Sequence, residues 1–366
     1  MQKILLFIPN IERGGIEKNL IILSKYFCQK KYEVEIIFGK ISREIKKKLS
    51  RKIKFIRPKK IVNTKITSNR LSNSINCFIY LLFKYKFSKD QIIFSFQDHP
   101  LPILISKIKK INCIIRIANH PDGSLKFFNN PFIFFIKKNI KKIFYLFASG
   151  IVCNSEASAN FFRNYYKKKK IVCIYNPLEK VNKIKKILIR KNQIISVGRL
   201  QNQKNFYGLI EAFYLAKKKL IDTKLLIIGS GSEKNRLKSL CKKYRISNNV
   251  TFLEYQNPEK FIRTSKIFIL NSLWEGLPNI LMECQNYKIP IISSDCLSGP
   301  REILQNQKLG FLVPVNNSKK LAKKIIYVFK NYNLAKNKAN LAFKKLYRFN
   351  QLNQCLKYEK FLNSIK

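Results

Sequence analysis

Acidic residues are scarce in this chain of 366 residues: 20 Asp and Glu stand against 73 Lys and Arg, a formal net charge of +53. Histidines number two, and the nine cysteines contain no C-x-x-C pair. So few imidazoles and no paired thiols leave little from which to build a metal site. The cysteines are odd in number and scattered, many inside apolar runs such as "INCIIRI" and "GIVCNS". They read as small reduced core residues, not as a disulfide framework. No run reaches the roughly 18 consecutive apolar residues of a membrane-crossing helix. The apolar stretch of "MQKILLFIPN" is too short for a secretory signal. The expectation is a cytoplasmic protein, soluble or peripheral to a membrane. No repeat of solenoid period is visible.

What the chain has in excess is lysine, isoleucine, asparagine and phenylalanine, spread along its whole length with no single basic block. Composition bias and attraction to an anionic surface both account for such a surplus, whether the surface is nucleic acid or acidic lipid. No RNP-like, zinc-finger or helix-turn-helix signature supports a specific nucleic-acid partner. Hydrophobic residues make up 46% of the chain, so it buries real cores. Its length points to two domains, because single cores stop growing at roughly 250–300 residues.

Short β-branched runs alternate with longer amphipathic, lysine-rich stretches. "KILLFIP", "EVEIIFG", "QIIFSF", "NCIIRI", "GIVCNS" and "KIVCIYN" form a first series. After "YNPLE" the pattern restarts with "QIISVGR", "KLLIIGS", "VTFLE", "KIFILNS", "IPIISSD" and "GFLVPV". Apolar strands separated by helix-length segments predict parallel sheets covered on both faces. The predicted domains are 1–178 and 179–366, with the last helix, about 346–366, packing back on the first. In such sheets ligands bind beyond the carboxyl ends of the strands.

Four loops after predicted strands hold the candidate site. In "NIERGGIEKNL", Gly14 and Gly15 precede a helix starting at Glu17, a cradle for an anion or substrate. "SVGRLQNQKNF" ends a strand at Gly198 and places Arg199 and Lys204 ahead of a helix over 205–216, an arrangement suited to a diphosphate. "LLIIGSGSEKN" puts Gly229 and Gly231 between a strand and a helix but lacks the third glycine of a dinucleotide fingerprint.

The fourth loop is "NSLWEGLPNILMECQ". Glu275 lies in it, Gly276 and Leu277 lead on, Pro278 fits the first turn of a helix, and Asn279 follows. A diphosphate on that helix start would have Glu275 on one side and Glu283, a turn deeper, on the other. Sugar hydroxyls would meet Glu275 and ribose hydroxyls Glu283. The neighbours Leu281, Met282 and Cys284 mark a largely buried helix, where an idle acid is costly.

Arg199 and Lys204 after "SVGR", the pair Glu275 and Glu283, and "SSDCLSGPREIL" together resemble retaining glycosyltransferases of family 4. "GGIEKNL", "IVCNSEASANFF" and "IYNP" extend the likeness over nearly the whole chain. The resemblance implies the GT-B fold, α/β, with two Rossmann-like doubly wound domains facing a central cleft. It implies a UDP-sugar as donor, a lipid-linked or surface-polysaccharide acceptor, no cofactor and no metal. Arg199 and Lys204 would hold the diphosphate, and the glycine loop would lie beside phosphates and sugar. A histidine after a first-domain strand would touch the donor sugar. His120 in "RIANHPDGS" is taken for it, with His99 in "SFQDHP" the alternative. Asn119 and Arg116 would line the acceptor cleft. A nucleotide-sugar epimerase and a glycogen-type synthase share the fold; a catalytically dead scaffold would not retain all four donor residues.

The segment "NPFIFFIKKNIKKIFYLFASG" predicts an amphipathic helix. Phe132, Ile133, Ile136, Ile140, Ile143, Phe144 and Phe147 line one stripe. Lysines mixed with Phe134, Phe135, Tyr145 and Leu146 line the other side. The stripe reads as a core face; the mixed side leaves two readings open, a core helix only or a core helix that also touches an anionic membrane surface.

Overall fold

The computed structural model describes residues 2–11, 14–30, 32–62, 69–122, 131–179 and 189–365, the side chains of 69–70 and 131–138 excepted. The chain divides into two compact units. One comprises Met1–Ala118, Leu125–Glu179 and Gln351–Lys366; the other comprises Asn119–Ser124 and Lys180–Asn350.

The first unit is built on a parallel sheet of seven strands in the order Lys54–Ile56, Glu33–Ile37, Lys3–Phe7, Ile92–Ser95, Asn112–Ile117, Gly150–Cys153, Ile171–Cys173. Alternate side chains of Lys3–Phe7 enter different cores. Ile4 and Leu6 pack on one face, and Leu5 and Phe7 on the other. Burial on both faces explains the unbroken apolar runs, because every position of a central parallel strand is an inside position. The edge strand Lys54–Ile56 was not predicted; it is three residues long and its lysine is exposed, so it carries no run to detect. The C-terminal helix, Gln351–Ser364, belongs to this unit. Its Cys355, Tyr358 and Leu362 enter the same core as Ile4 and Leu6.

The second unit repeats the plan with six parallel strands: Val250–Leu253, Lys224–Ile228, Lys191–Val197, Ser265–Leu270, Ile291–Ser294 and Phe311–Val313. In both sheets the first strand in sequence lies inside, and the order reverses beside it. That is the doubly wound Rossmann arrangement, with a topological switch point at the carboxyl end of the first strand. In the second unit, the switch point falls between Lys191–Val197 and Ser265–Leu270.

All nine cysteines are free, and eight of them are buried. Arg116 is a correction. It lines no cleft: its side chain is fully buried, with Nε donating to Tyr358 Oη at 3.1 Å, a terminal nitrogen donating to Asn176 Oδ1 at 2.6 Å, and the guanidinium against the Phe96 ring. The helix Pro131–Leu146 brings a second correction. Ile140, Ile143 and Phe147, expected in the core, are exposed, whereas Phe144 of the same stripe packs partly buried on the core; from the opposite side Tyr145 is buried with its hydroxyl on Asp98 and Leu146 is exposed. The side chains of Phe132 to Lys138 lie outside the described residues.

Candidate active site

Two loops meet at the switch point of the second unit. After Lys191–Val197 the chain passes Gly198 and the exposed Arg199, makes a short 3-10 turn over Asn202–Lys204, and enters the helix Phe206–Lys217. Asn205 sits in the left-handed region at φ 46°, which an asparagine tolerates, and its Oδ1 accepts the Gly208 N–H at 3.1 Å. After Ser265–Leu270 comes the loop bearing Glu275. Leu273 N–H donates to Gln203 O at 2.8 Å, Gln203 Nε2 to Trp274 O at 2.9 Å, and Asn271 Nδ2 to Asn205 O at 3.0 Å. These bonds lace the loops into one frame.

That frame brings Lys204 onto Glu275. The ammonium pairs with Glu275 Oε1, and the two side chains are only 16% and 7% exposed. The Ser272 hydroxyl donates to the same oxygen at 2.6 Å. A buried carboxylate holding both a cation and a hydroxyl is desolvated but compensated. Its second oxygen, Oε2, has no partner among the described residues.

The Glu275 loop is braced from behind by residues that sequence reasoning missed. Ser294 Oγ donates to Ser272 O at 2.6 Å and Cys296 Sγ to the same carbonyl at 3.2 Å. Burial pushes the Cys296 thiol up to about 12, with the Glu275 charge adding to the shift, so it stays a protonated donor. Ser298 Oγ donates to Glu275 O at 2.8 Å. Only the spacing Ser272-x-x-Glu275 hinted at such a local bond; the rest comes from the end of the next strand, Ile291–Ser294, and from the loop after it.

Pro278 is corrected by one position. It caps the helix Asn279–Asn286 from outside with extended backbone, at φ −69° and ψ 107°, instead of occupying its first turn. Glu283 is half-buried one turn in, beside the buried Leu281, Met282 and Cys284. Gly276 and Leu277 are buried against the loop after Ile291–Ser294, where a Cβ on Gly299 would stand 2.0 Å from Gly276 O.

Gly229 has a comparable job, since a Cβ there would meet Gly198 O at 1.8 Å. Leu200 N–H donates to Ser230 O at 2.9 Å. The Gly-Ser-Gly turn lets its loop lie directly on the Gly198–Leu200 loop.

Asn119 forms an isolated antiparallel bridge with Gly276, and residues Asn119–Ser124 group with the second unit. His120 therefore sits next to the Glu275 loop. Its Nδ1 accepts the Asp122 N–H at 3.2 Å, which leaves Nε2 as the protonated nitrogen of a neutral ring. Gly14, Gly15 and His99 belong to the first unit. The helix there starts at Gly15, two residues before the expected Glu17. His99 follows Ile92–Ser95, its ring 5.8 Å from that of Phe7. Burial pushes His99 down to about 4; the Asp98 charge opposes the shift and Lys141 adds to it. Among the described residues, no three His, Cys, Asp or Glu side chains are grouped as a metal site requires.

Residues 178–345 match the family described as Glycosyl transferases group 1. The whole chain superposes on solved GT-B glycosyltransferases. Staphylococcus aureus TarM, solved with fondaparinux, α-GlcNAc-glycerol and UDP, matches with a TM-score of 0.81 at 17% identity over 99% of this chain and 100% of that one. Anabaena HepE with UDP-glucose gives 0.78 at 16% identity, covering 100% of both chains. The architecture is GT-B. In sequence, an uncharacterised glycosyltransferase of Methanocaldococcus jannaschii is 32% identical over 60% of this chain and 59% of its own length. One from Haemophilus influenzae is 31% identical over 50% and 52%. The chain thus spans little more than half the length of these relatives. A Campylobacter jejuni N-acetylgalactosamine-N,N'-diacetylbacillosaminyl-diphospho-undecaprenol 4-alpha-N-acetylgalactosaminyltransferase is 28% identical over 98% of this chain and 99% of its own.

Proposed function

We propose that this chain is a retaining, metal-independent glycosyltransferase. It moves a hexose or N-acetylhexosamine from a UDP-sugar to a lipid-linked or surface-polysaccharide acceptor at the cytoplasmic face of a membrane. The observation that carries the reading is the Lys204–Glu275 pair at the switch point of a glycosyl transferases group 1 domain. The relatives support it. One is named for transfer to a diphospho-undecaprenol saccharide and another, from Erwinia amylovora, for amylovoran biosynthesis. Solved structures of the same fold contain UDP or UDP-glucose.

In this reading the donor diphosphate meets Arg199, Lys204 and the start of the helix Asn279–Asn286. Glu283 receives the ribose hydroxyls. Glu275 Oε2 receives a hydroxyl of the transferred sugar, and His120 Nε2–H donates to another. The bond from the anomeric carbon to the diphosphate breaks while the acceptor oxygen bonds to that carbon on the same face. The acceptor's proton passes to the departing diphosphate oxygen. Charge building on the leaving group is met by fixed cations, which stabilises the transition state over the ground state.

A thermal-shift and hydrolysis screen over UDP-, GDP- and ADP-sugars, with and without EDTA, tests this. The expected result is stabilisation and slow hydrolysis with a UDP-sugar, unchanged by EDTA. A response to GDP- or ADP-sugars alone reassigns the base. Activity lost in EDTA and restored by magnesium or manganese overturns metal independence.

A further inference from the structure

The outward face of the helix Pro131–Leu146 is built for something other than water. Ile140, Ile143 and Leu146 are 47%, 58% and 51% exposed, and Phe147 just beyond is 47% exposed. The helix Leu101–Ile108 packs beside it in the same unit and adds Leu104 and Ile108, the latter 51% exposed. Six large apolar side chains on two adjacent helices form a patch, whereas single exposed apolar residues need no explanation. The inward side of the helix already packs Tyr145 and the partly buried Phe144 on the core, with Ala148 just beyond, so the outward side is not a second core waiting for this chain.

Lysines border the patch. Lys107 stands 5.1 Å from the centre of the Phe147 ring, and Lys142 stands 4.2 Å from that of the exposed Tyr165. Lys109 and Lys110 are exposed at the end of Leu101–Ile108. Among the described residues, none of these four has a carboxylate partner. Lys107 also lies close enough to Lys169 to help lower the latter's pKa, after burial, so the cations here are crowded and not neutralised.

We infer that this two-helix face is a docking surface for an anionic lipid bilayer, with the apolar side chains entering the acyl boundary and the lysines meeting headgroup phosphates. Charge decides among the occupants. A second copy of this chain would bring the same unneutralised lysines against these, in a protein of net charge +53. A nucleic acid would satisfy the lysines but leave the aliphatic side chains facing phosphates. An anionic bilayer satisfies both at once, by burial of the apolar side chains and by attraction of the basic residues to the charged headgroups. No described helix is long and apolar enough to cross a membrane, so the contact is interfacial. The inference deepens the reading of a membrane-borne acceptor, yet its test contains no sugar donor, so the two fail separately.

The experiment uses the full chain with phosphatidylcholine vesicles, with and without phosphatidylglycerol, at low and high salt. A chain this basic adheres to anionic vesicles at low salt by charge alone, so the readout is insertion. Ile143→Trp should shift its emission to the blue and be quenched by lipids brominated on the acyl chains. Ile221→Trp, at an exposed position of the second unit, should do neither. The charge-neutral pair Ile143→Ser with Phe147→Ser should weaken partitioning at high salt about tenfold, as expected for losing two partly buried apolar side chains. Equal quenching at both tryptophans, or none at position 143, overturns the inference. So does undiminished partitioning of the double variant, or a change of its oligomeric state in place of its lipid binding.

Discussion

Arg199 and Lys204 are the two cations assigned to the diphosphate, but they differ in what they already hold. Arg199 is exposed and has no ion-pair partner among the described residues, whereas Lys204 neutralises the buried Glu275. Arg199→Ala should therefore leave thermal stability within about 0.5 kcal/mol. It should still cost about 2–4 kcal/mol of transition-state stabilisation, read as kcat/KM. Lys204→Ala should lose activity and also destabilise the second unit by about 3 kcal/mol, because it strands a buried carboxylate. Normal turnover in both variants removes the diphosphate assignment. The two glutamates should also part company. Glu283→Gln should weaken UDP binding by about 1–3 kcal/mol through a lost charge-assisted bond. Glu275→Gln withdraws the anion that competes for Lys204, so UDP affinity should hold or rise while transfer falls. Calorimetry with UDP beside transfer rates separates them, and equal loss of UDP affinity in both variants refutes the division of labour. His99 gives a pH signature. Its pKa is held near 4 against 6.5 for a free histidine. Above pH 6.5 both folded and unfolded forms are neutral there; as pH falls, the unfolded chain takes the proton first. Stability should drop by about 3 kcal/mol between pH 6.5 and 4 from this group alone. His99→Asn, which keeps an acceptor for the Leu101 N–H, should flatten that part of the profile; an unchanged slope in chemical denaturation contradicts the burial argument.

At the scale of elements, the site depends on loops that touch through backbone. Gly299 sits at φ +83°, where a side chain is strained, and its missing Cβ leaves room for Gly276 O and Pro278 Cδ. Gly299→Ala must push the Gly276–Pro278 segment aside. We expect about 1–3 kcal/mol of destabilisation, with weakened UDP binding because the displaced segment starts the helix that would carry the diphosphate. Calorimetry and thermal unfolding that both match the parent would show the loop tolerating the methyl. The helix Pro131–Leu146 shows the limit of periodicity. A stripe at 3.6-residue spacing announces that one side is apolar, but both sides of this helix carry large apolar residues. Which side turns inward was decided by Tyr145, whose hydroxyl reaches Asp98, a residue 47 positions earlier.

At the scale of the molecule, the chain leaves the first unit at Glu179 and returns to it at Gln351. The returning helix supplies Tyr358 to the buried Arg116 and Glu359 to the Tyr26 hydroxyl. Deleting residues 351–366 should lower the unfolding temperature of the first unit and leave that of the second unchanged. Calorimetry of the truncated chain, with UDP added to mark the second unit, should show two separated transitions. A single transition shifted as a whole would mean that the units unfold as one. By contrast, the net charge says little about fold, being spread over surfaces that solvent screens.

The sequence by itself determined the two parallel sheets, because strands buried on both faces must be apolar without interruption, and twelve such runs are legible. It also pointed to Arg199, Lys204 and Glu275 in loops after strands and to Glu283 on the helix that follows, because the acids are rare enough to stand out. Only the tertiary structure decided that Lys204 and Glu275 are partners, 71 residues apart, since adjacency in a doubly wound sheet follows strand order and not chain order. It alone decided that Arg116 is buried and that Ser294, Cys296 and Ser298 brace the Glu275 loop. Hydrogen bonds to carbonyls from a neighbouring strand leave no pattern in the sequence of either partner.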